Sequence, residues 1–291
     1  MILSALALSV SLLWTDIGSK QALICEVSSL QPCLHHLPSP VRHQLPANVS
    51  ELNQILGQRG AMVMAVEDST IAGLILLSPE NLPGSLSVNL SGSIVSLNLE
   101  NQHELTLWHE MGHLEANRLQ DSGLIDELTP YMHEWLADCY LAWRVAQEKR
   151  SLGPIWQQYN RRNIDVMQSV DTMSHWTVPI LSQLLSRYSL QELIAFETFS
   201  ELMSDLLPQL ELPAPDSLAE FSSLIHRTFS TEVLQPLPNY MSWRKPALRS
   251  YLEPTLTKLL GEEAAEHWLI EQKMLTGNDV FPMKMSHQVE L

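Results

Sequence analysis

At Asn101 the apolar residues of this chain change their period, and that switch constrains the fold more than any other feature of the sequence. Before it, apolar and β-branched residues fall in short runs at Ala61–Val66, Thr70–Leu77, Leu86–Leu90 and Ile94–Leu99, parted by the turn-like Glu67-Asp68-Ser69 and Ser91-Gly92-Ser93. Such runs bounded by turn residues predict two hairpins, hence a small, mainly antiparallel sheet. After it, Leu107, Met111 and Leu114 recur at helical spacing, and the stripe closes through Leu119. A helix is expected from Gln102 to Leu119, broken by Asp121-Ser122-Gly123, and a second from Thr129 to Lys149 with Pro130 in its first turn. The expected fold class is therefore α+β: a small sheet packed on the first long helix, followed by a helical C-terminal region.

The flanks add detail. Between Val41 and Gly57 a short helix is expected, with Asn48 or Ser50 as its cap. Beyond Arg150 the pattern is helical, with Pro-containing joints at 208–215 and 236–238, helical periodicity over Leu190–Leu207 and Thr255–Leu275, and a loose tail after Gly277. The apolar run Met1–Trp14 has the length of a signal-peptide core and is short for a membrane span, which favours export to the periplasm or the medium. No basic residue precedes Lys20, so a buried N-terminal helix or strand, in a cytoplasmic protein, is the alternative. Cys25 and Cys33 lie close together among prolines and suit a disulfide-closed loop, whereas Cys139 sits in an apolar helical pattern and reads as a buried thiol. The expected organisation is a signal or anchor segment at residues 1–24, a core at 25–150, and a helical region at 151–291 that completes a cleft.

Thirty-three acidic residues against 17 basic ones give a formal net charge of -16, which repels nucleic acid and anionic membrane surfaces and sets those partners aside.

Within the first long helix stands His109-Glu110-Met111-Gly112-His113. Histidines four apart project from one helical face and can share a metal ion, and a carboxylate beside the first of them can take a proton from water that the ion has acidified. The next helix carries Glu134 and Asp138 one turn apart. Glu134 completes a His2Glu ligand set for Zn2+ that leaves a fourth position open, and Asp138 can accept a hydrogen bond from a ligand imidazole. His133 competes for the ligand role but points about 100° away around the helix. His103 reads as a surface or capping residue, Glu115 and Glu127 as solvated charges, and Gly112 as room for close approach.

Over Ile94–Arg144 these motifs resemble the gluzincin metallopeptidases, the thermolysin-like group in which an HExxH helix is followed by a helix bearing Glu and then Asp. Glu134-Trp135-Leu136-Ala137-Asp138 is also similar to the Glu-x-x-Ala-Asp pattern of CAAX-type peptidases and their soluble relatives, although the long membrane helices of the membrane members are missing. The resemblance implies a zincin-like core that hydrolyses a peptide or protein substrate, with His109, His113 and Glu134 as zinc ligands and Glu110 as general base. It also implies a downstream oxyanion donor, for which His175 is the candidate and Tyr131 and Tyr159 are rivals. An extended substrate would pair with a strand edge at Ile71–Leu77 or Ile94–Leu99. The alternative from another class is an inactive zincin-like domain that acts as a protein-binding module; an intact Glu110 between intact ligands argues for the enzyme.

Overall fold

The computed structural model describes residues 14–230 and 239–275. Met1–Leu13 of the expected export segment, the 236–238 joint and the tail after Gly277 lie outside these residues. In chain order the strands are β1 (Trp14–Ile17), β2 (Lys20–Glu26), β3 (Ala61–Ala65), β4 (Ile71–Leu77), β5 (Ser85–Leu90) and β6 (Ser93–Asn98). The helices before the period switch are α1 (Leu30–Leu34), α2 (Ser39–Arg42) and α3 (Val49–Leu56), and those after it are α4 (Gln102–Asp121), α5 (Pro130–Lys149), α6 (Gly153–Gln168), α7 (Val178–Arg187), α8 (Leu190–Ala195), α9 (Phe199–Leu206), α10 (Pro215–Phe229), α11 (Lys245–Leu260) and α12 (Glu262–Glu271). The fold is mixed α+β with a small sheet and a helical C-terminal region. No helix among the described residues is long and apolar enough to cross a membrane.

Two compact units interleave along the chain. The first holds residues up to Leu86, Asn98–Tyr159 and Ile180–Glu211; the second holds Ser87–Leu97, Asn160–Pro179 and the chain from Leu212. The boundary expected at residue 150 therefore does not separate them.

In the first unit a four-stranded sheet has the order β1-β2-β4-β3. The β3–β4 hairpin is antiparallel as expected, but β2 runs parallel to β4, with Cys25 beside Leu76, so the sheet is mixed. The segment assigned in the sequence to the end of an export signal supplies β1 and most of β2. Their hairpin turns at Gly18, whose positive φ of 57° suits glycine. A Cβ there would also fall 2.3 Å from Cδ of Arg118.

Both faces of this sheet are covered, which explains why β4 reads Ile-Ala-Gly-Leu-Ile-Leu-Leu without alternation. One face buries Leu23, Leu74, Leu76 and Met62 with Leu52 and Leu56 of α3, and the other buries Ala22, Ile75 and Leu77 with Met111, Leu114 and Leu119 of α4. Asn48 caps α3 by accepting from Glu51 N at 3.0 Å. Cys25 and Cys33 form a disulfide that ties β2 to α1. Lying between β2 and β3, β4 has no free edge, so the expectation that Ile71–Leu77 could pair with an extended substrate is withdrawn. Glu115, expected to be solvated, is buried and accepts from Arg118 Nε at 2.6 Å; Arg118 donates in turn to Ser200 Oγ at 2.7 Å. Glu127 and His103 are exposed as expected, and Cys139 is a buried free thiol whose pKa burial pushes upward.

In the second unit β5 and β6 form a separate two-stranded hairpin. Its helices are joined by a buried polar network. Asn163 Nδ2 donates to Thr255 Oγ1 and to the Tyr251 carbonyl, both at 2.8 Å, Thr255 Oγ1 donates to Asn160 Oδ1, and Trp176 Nε1 donates to Asn163 Oδ1 at 2.9 Å. Buried polar groups satisfied in this way favour one packing over looser alternatives.

Candidate metal centre

Two helices of the first unit build the site, and small residues let them approach. A Cβ on Gly112 of α4 would lie 2.6 Å from Ala137 Cα and 2.8 Å from Ala137 O on α5, closer than side chains tolerate. The room that the sequence assigns to Gly112 is thus filled by the backbone of α5. On the sheet side of α4, a Cβ on Gly73 of β4 would fall 2.4 Å from Met64 O of the neighbouring β3 and 2.9 Å from Leu114 Cδ2 of α4. Helix α4 is consequently held between sheet and partner helix, with His109 and His113 one turn apart on it. Thr129 Oγ1 accepts from Met132 N and starts α5, which brings Glu134 opposite the histidines.

The three groups meet. His109 Nε2 lies 3.5 Å from Glu134 Oε2, and His113 Nε2 lies 3.8 Å from Glu134 Oε1. Taken one ligand atom per residue, the three groups all lie within 4.8 Å of one another, and two atoms each bonded at about 2.0–2.1 Å to a tetrahedral ion stand roughly 3.4 Å apart, so a modest inward shift of the side chains would let them share one ion. The imidazole rings meet edge to face with centroids 4.8 Å apart. Among the described residues this is the one cluster of His, Cys, Asp or Glu with such geometry. The side chains of His109, His113 and Glu134 keep 13%, 15% and 16% of their accessibility, so the site is sheltered without being sealed.

Asp138 is fully buried one turn beyond Glu134, and its Oδ1 accepts from His109 Nδ1 at 2.8 Å. That bond places the proton of His109 on Nδ1 and leaves the lone pair of Nε2 toward Glu134 and His113. Burial, and then the neighbouring His109, push the pKa of His113 down to about 3, so its imidazole is neutral at physiological pH, the form that can donate a lone pair. Nitrogen, nitrogen and carboxylate oxygen are donors suited to a divalent ion of the zinc kind.

Glu110 follows His109 on α4 and is 9% exposed. His133 is half-buried with its ring 6.0 Å from that of His113, and it lies outside the ligand cluster. His175 ends a 3-10 helix, Val170–His175, in the second unit; it is exposed, its Nδ1 stands 3.0 Å from Ser174 Oγ, and it too lies outside the cluster. Tyr131 is half-buried on the ligand helix α5, and Tyr159 is buried on α6.

One participant escaped the sequence reading. Gln158 of α6 is buried, and its Nε2 donates to Asp138 Oδ1 at 2.9 Å. Its neighbour Gln157 grips the segment leading into α4, donating to the Glu100 carbonyl and accepting from Glu100 N, both at 2.9 Å. A polar residue at a position where α6 otherwise buries Ile155 and Tyr159 was the available signal, but no motif spacing links residue 158 to residue 138. Comparison with protein-family models, curated proteins and solved structures finds no match to this chain.

Proposed function

We propose that the chain is a zinc-dependent peptidase, a reading carried by one observation: two imidazoles and one carboxylate converge in a sheltered but accessible place, and a buried aspartate orients the first imidazole. A closed structural zinc site takes four protein ligands, whereas three leave one position for the reaction. A bound zinc ion would be held by His109 Nε2, His113 Nε2 and Glu134, and it supplies acidified water and polarisation of the scissile carbonyl.

The chain's own groups carry the rest. On a helix, Glu110 lies 100° from His109 and 60° from His113, which puts it beside the ligand face. Its carboxylate oxygen takes the proton of the attacking water and later delivers it to the leaving amine nitrogen. Asp138 Oδ1 holds the Nδ1 proton of His109 throughout, which keeps Nε2 aimed. The buried Cys25–Cys33 disulfide supports export to an oxidising compartment as the working location.

Metal analysis and turnover test this together. Purified protein should carry close to one zinc per chain, and His109→Ala should carry almost none. Glu110→Gln should keep its zinc and cleave a peptide library at least a hundredfold more slowly, the range general-base removal spans. Equal turnover in Glu110→Gln and the parent would place the chemistry elsewhere, and iron in place of zinc would change its class.

A further inference from the structure

We infer that Gln158 is a positioning residue for the metal centre, acting through Asp138 on His109; the inference rests on the zinc reading above and adds to it a third helix. The chain of contacts is short. Gln158 Nε2 donates at 2.9 Å to the same oxygen of Asp138 that accepts from His109 Nδ1 at 2.8 Å. All three side chains belong to the first unit, and Asp138 is fully buried.

The terminal torsion of Asp is broad and roughly two-fold, so each donor that grips the carboxylate narrows its swing about that bond and with it the tilt of the imidazole. A donor from a further helix, α6, restrains the carboxylate in addition to the one from α4, and with it the ring and the aim of Nε2. Gln158 is suited to this because it is 4% exposed and shares a face of α6 with buried Ile155 and Tyr159, so burial restrains its arm. A donor amide offers no competing acceptor in this bond, so the His109 proton stays directed at Asp138. Outer partners of this kind typically change metal affinity by about 10–100-fold when removed.

Gln158→Met keeps length and lacks the donor. Zinc affinity, measured by competition with a chelating dye, should fall about tenfold, and the visible absorption bands of the cobalt-substituted protein should shift as the ligand field changes, while the far-ultraviolet circular dichroism stays that of the parent. Positioning through Asp138 further requires that Gln158→Met cost no additional affinity once Asp138→Ala is present. Full additivity of the two losses would mean that Gln158 merely supports packing and would overturn the inference, as would an affinity within twofold of the parent. Should Gln158→Met not fold, Gln158→Asn withdraws the amide by one methylene and should show the same loss; unchanged zinc binding there overturns the inference equally. These results leave the metal reading standing, whereas a parent protein that binds no zinc removes that reading and this inference together.

Discussion

At Gly112, helix propensity and the packing of α4 on α5 pull in opposite directions. Helix propensity alone says that Gly112→Ala, in the middle of α4, should stabilise the protein by about 0.5–1 kcal/mol. The contact with α5 says the reverse, because the new methyl would sit 2.6 Å from backbone that cannot rotate away. Overpacking of this kind costs about 1–3 kcal/mol, so the clash wins. Pushing α5 outward also opens the 3.5 and 3.8 Å spacings from Glu134 to the two imidazoles. Gly112→Ala should therefore lower the melting temperature and weaken zinc binding several-fold, as read by scanning calorimetry and a chelator titration; a raised melting temperature with parental affinity would refute this account. The sequence showed that a small residue was wanted here, but helical spacing could not tell that the neighbour was Ala137. His109, His113, Glu134 and Asp138 were readable for a firmer reason, since ligand chemistry and a 3.6-residue period fix which side chains share a face. Glu115 was misread as solvated although its partner Arg118 is only three residues on; what helical spacing could not show is that Arg118 also donates to Ser200, 82 residues away from it.

Among the elements, those with strong local signals came through and those set by distant pairing did not. The expected spans for α4 and α5 differ from the observed ones by two residues at most, and the Asn48 cap of α3 is present, because caps, prolines and apolar stripes act locally. The parallel pairing of β2 with β4 was invisible: the connection through α1, α2, α3 and β3 leaves no local signal of which strand β2 will meet. Helix α6 illustrates a subtler case, as two adjacent glutamines there reach different elements. Gln157 makes a two-bond grip on Glu100, just ahead of α4, where Asn101 adopts a left-handed φ of 54°. Each bond is worth about 1 kcal/mol net. Gln157→Ala should lower the melting temperature by roughly 4–8 °C on that basis, at about 2–4 °C per kcal/mol for a cooperative unit of about 150–250 residues. Zinc affinity should remain within twofold, since Gln157 touches neither ligand nor Asp138; a tenfold loss would show that α6 acts on the centre as one block. Comparison with Gln158→Met then separates holding the helix from aiming the imidazole.

On the scale of the whole molecule, the division expected at residue 150 meets a chain that does not fold in sequential pieces. The core beneath the metal helices draws Ile155, Ile180, Leu184, Leu193, Phe199, Leu202, Met203 and Leu206 from beyond that point. Side-chain grips follow the same route: Trp143 Nε1 donates to the Phe196 carbonyl at 3.0 Å, and Gln147 Nε2 reaches the carbonyls of Leu193, Ile194 and Phe196. Burying each large apolar side chain contributes about 1.5–3 kcal/mol, so the set supplies on the order of 10 kcal/mol or more. The net stability of a domain is only about 5–15 kcal/mol. A chain cut after residue 150 loses that contribution, exposes the inner face of α5, and also loses Gln157 and Gln158. It should lack a cooperative thermal transition and bind no zinc, although it retains His109, Glu110, His113, Glu134 and Asp138. Calorimetry and metal analysis of the cut chain check this directly. A sharp transition with one bound zinc would show instead that α4, α5 and the sheet suffice, and that helices α7 to α9 are a later layer rather than part of what holds the ligands together.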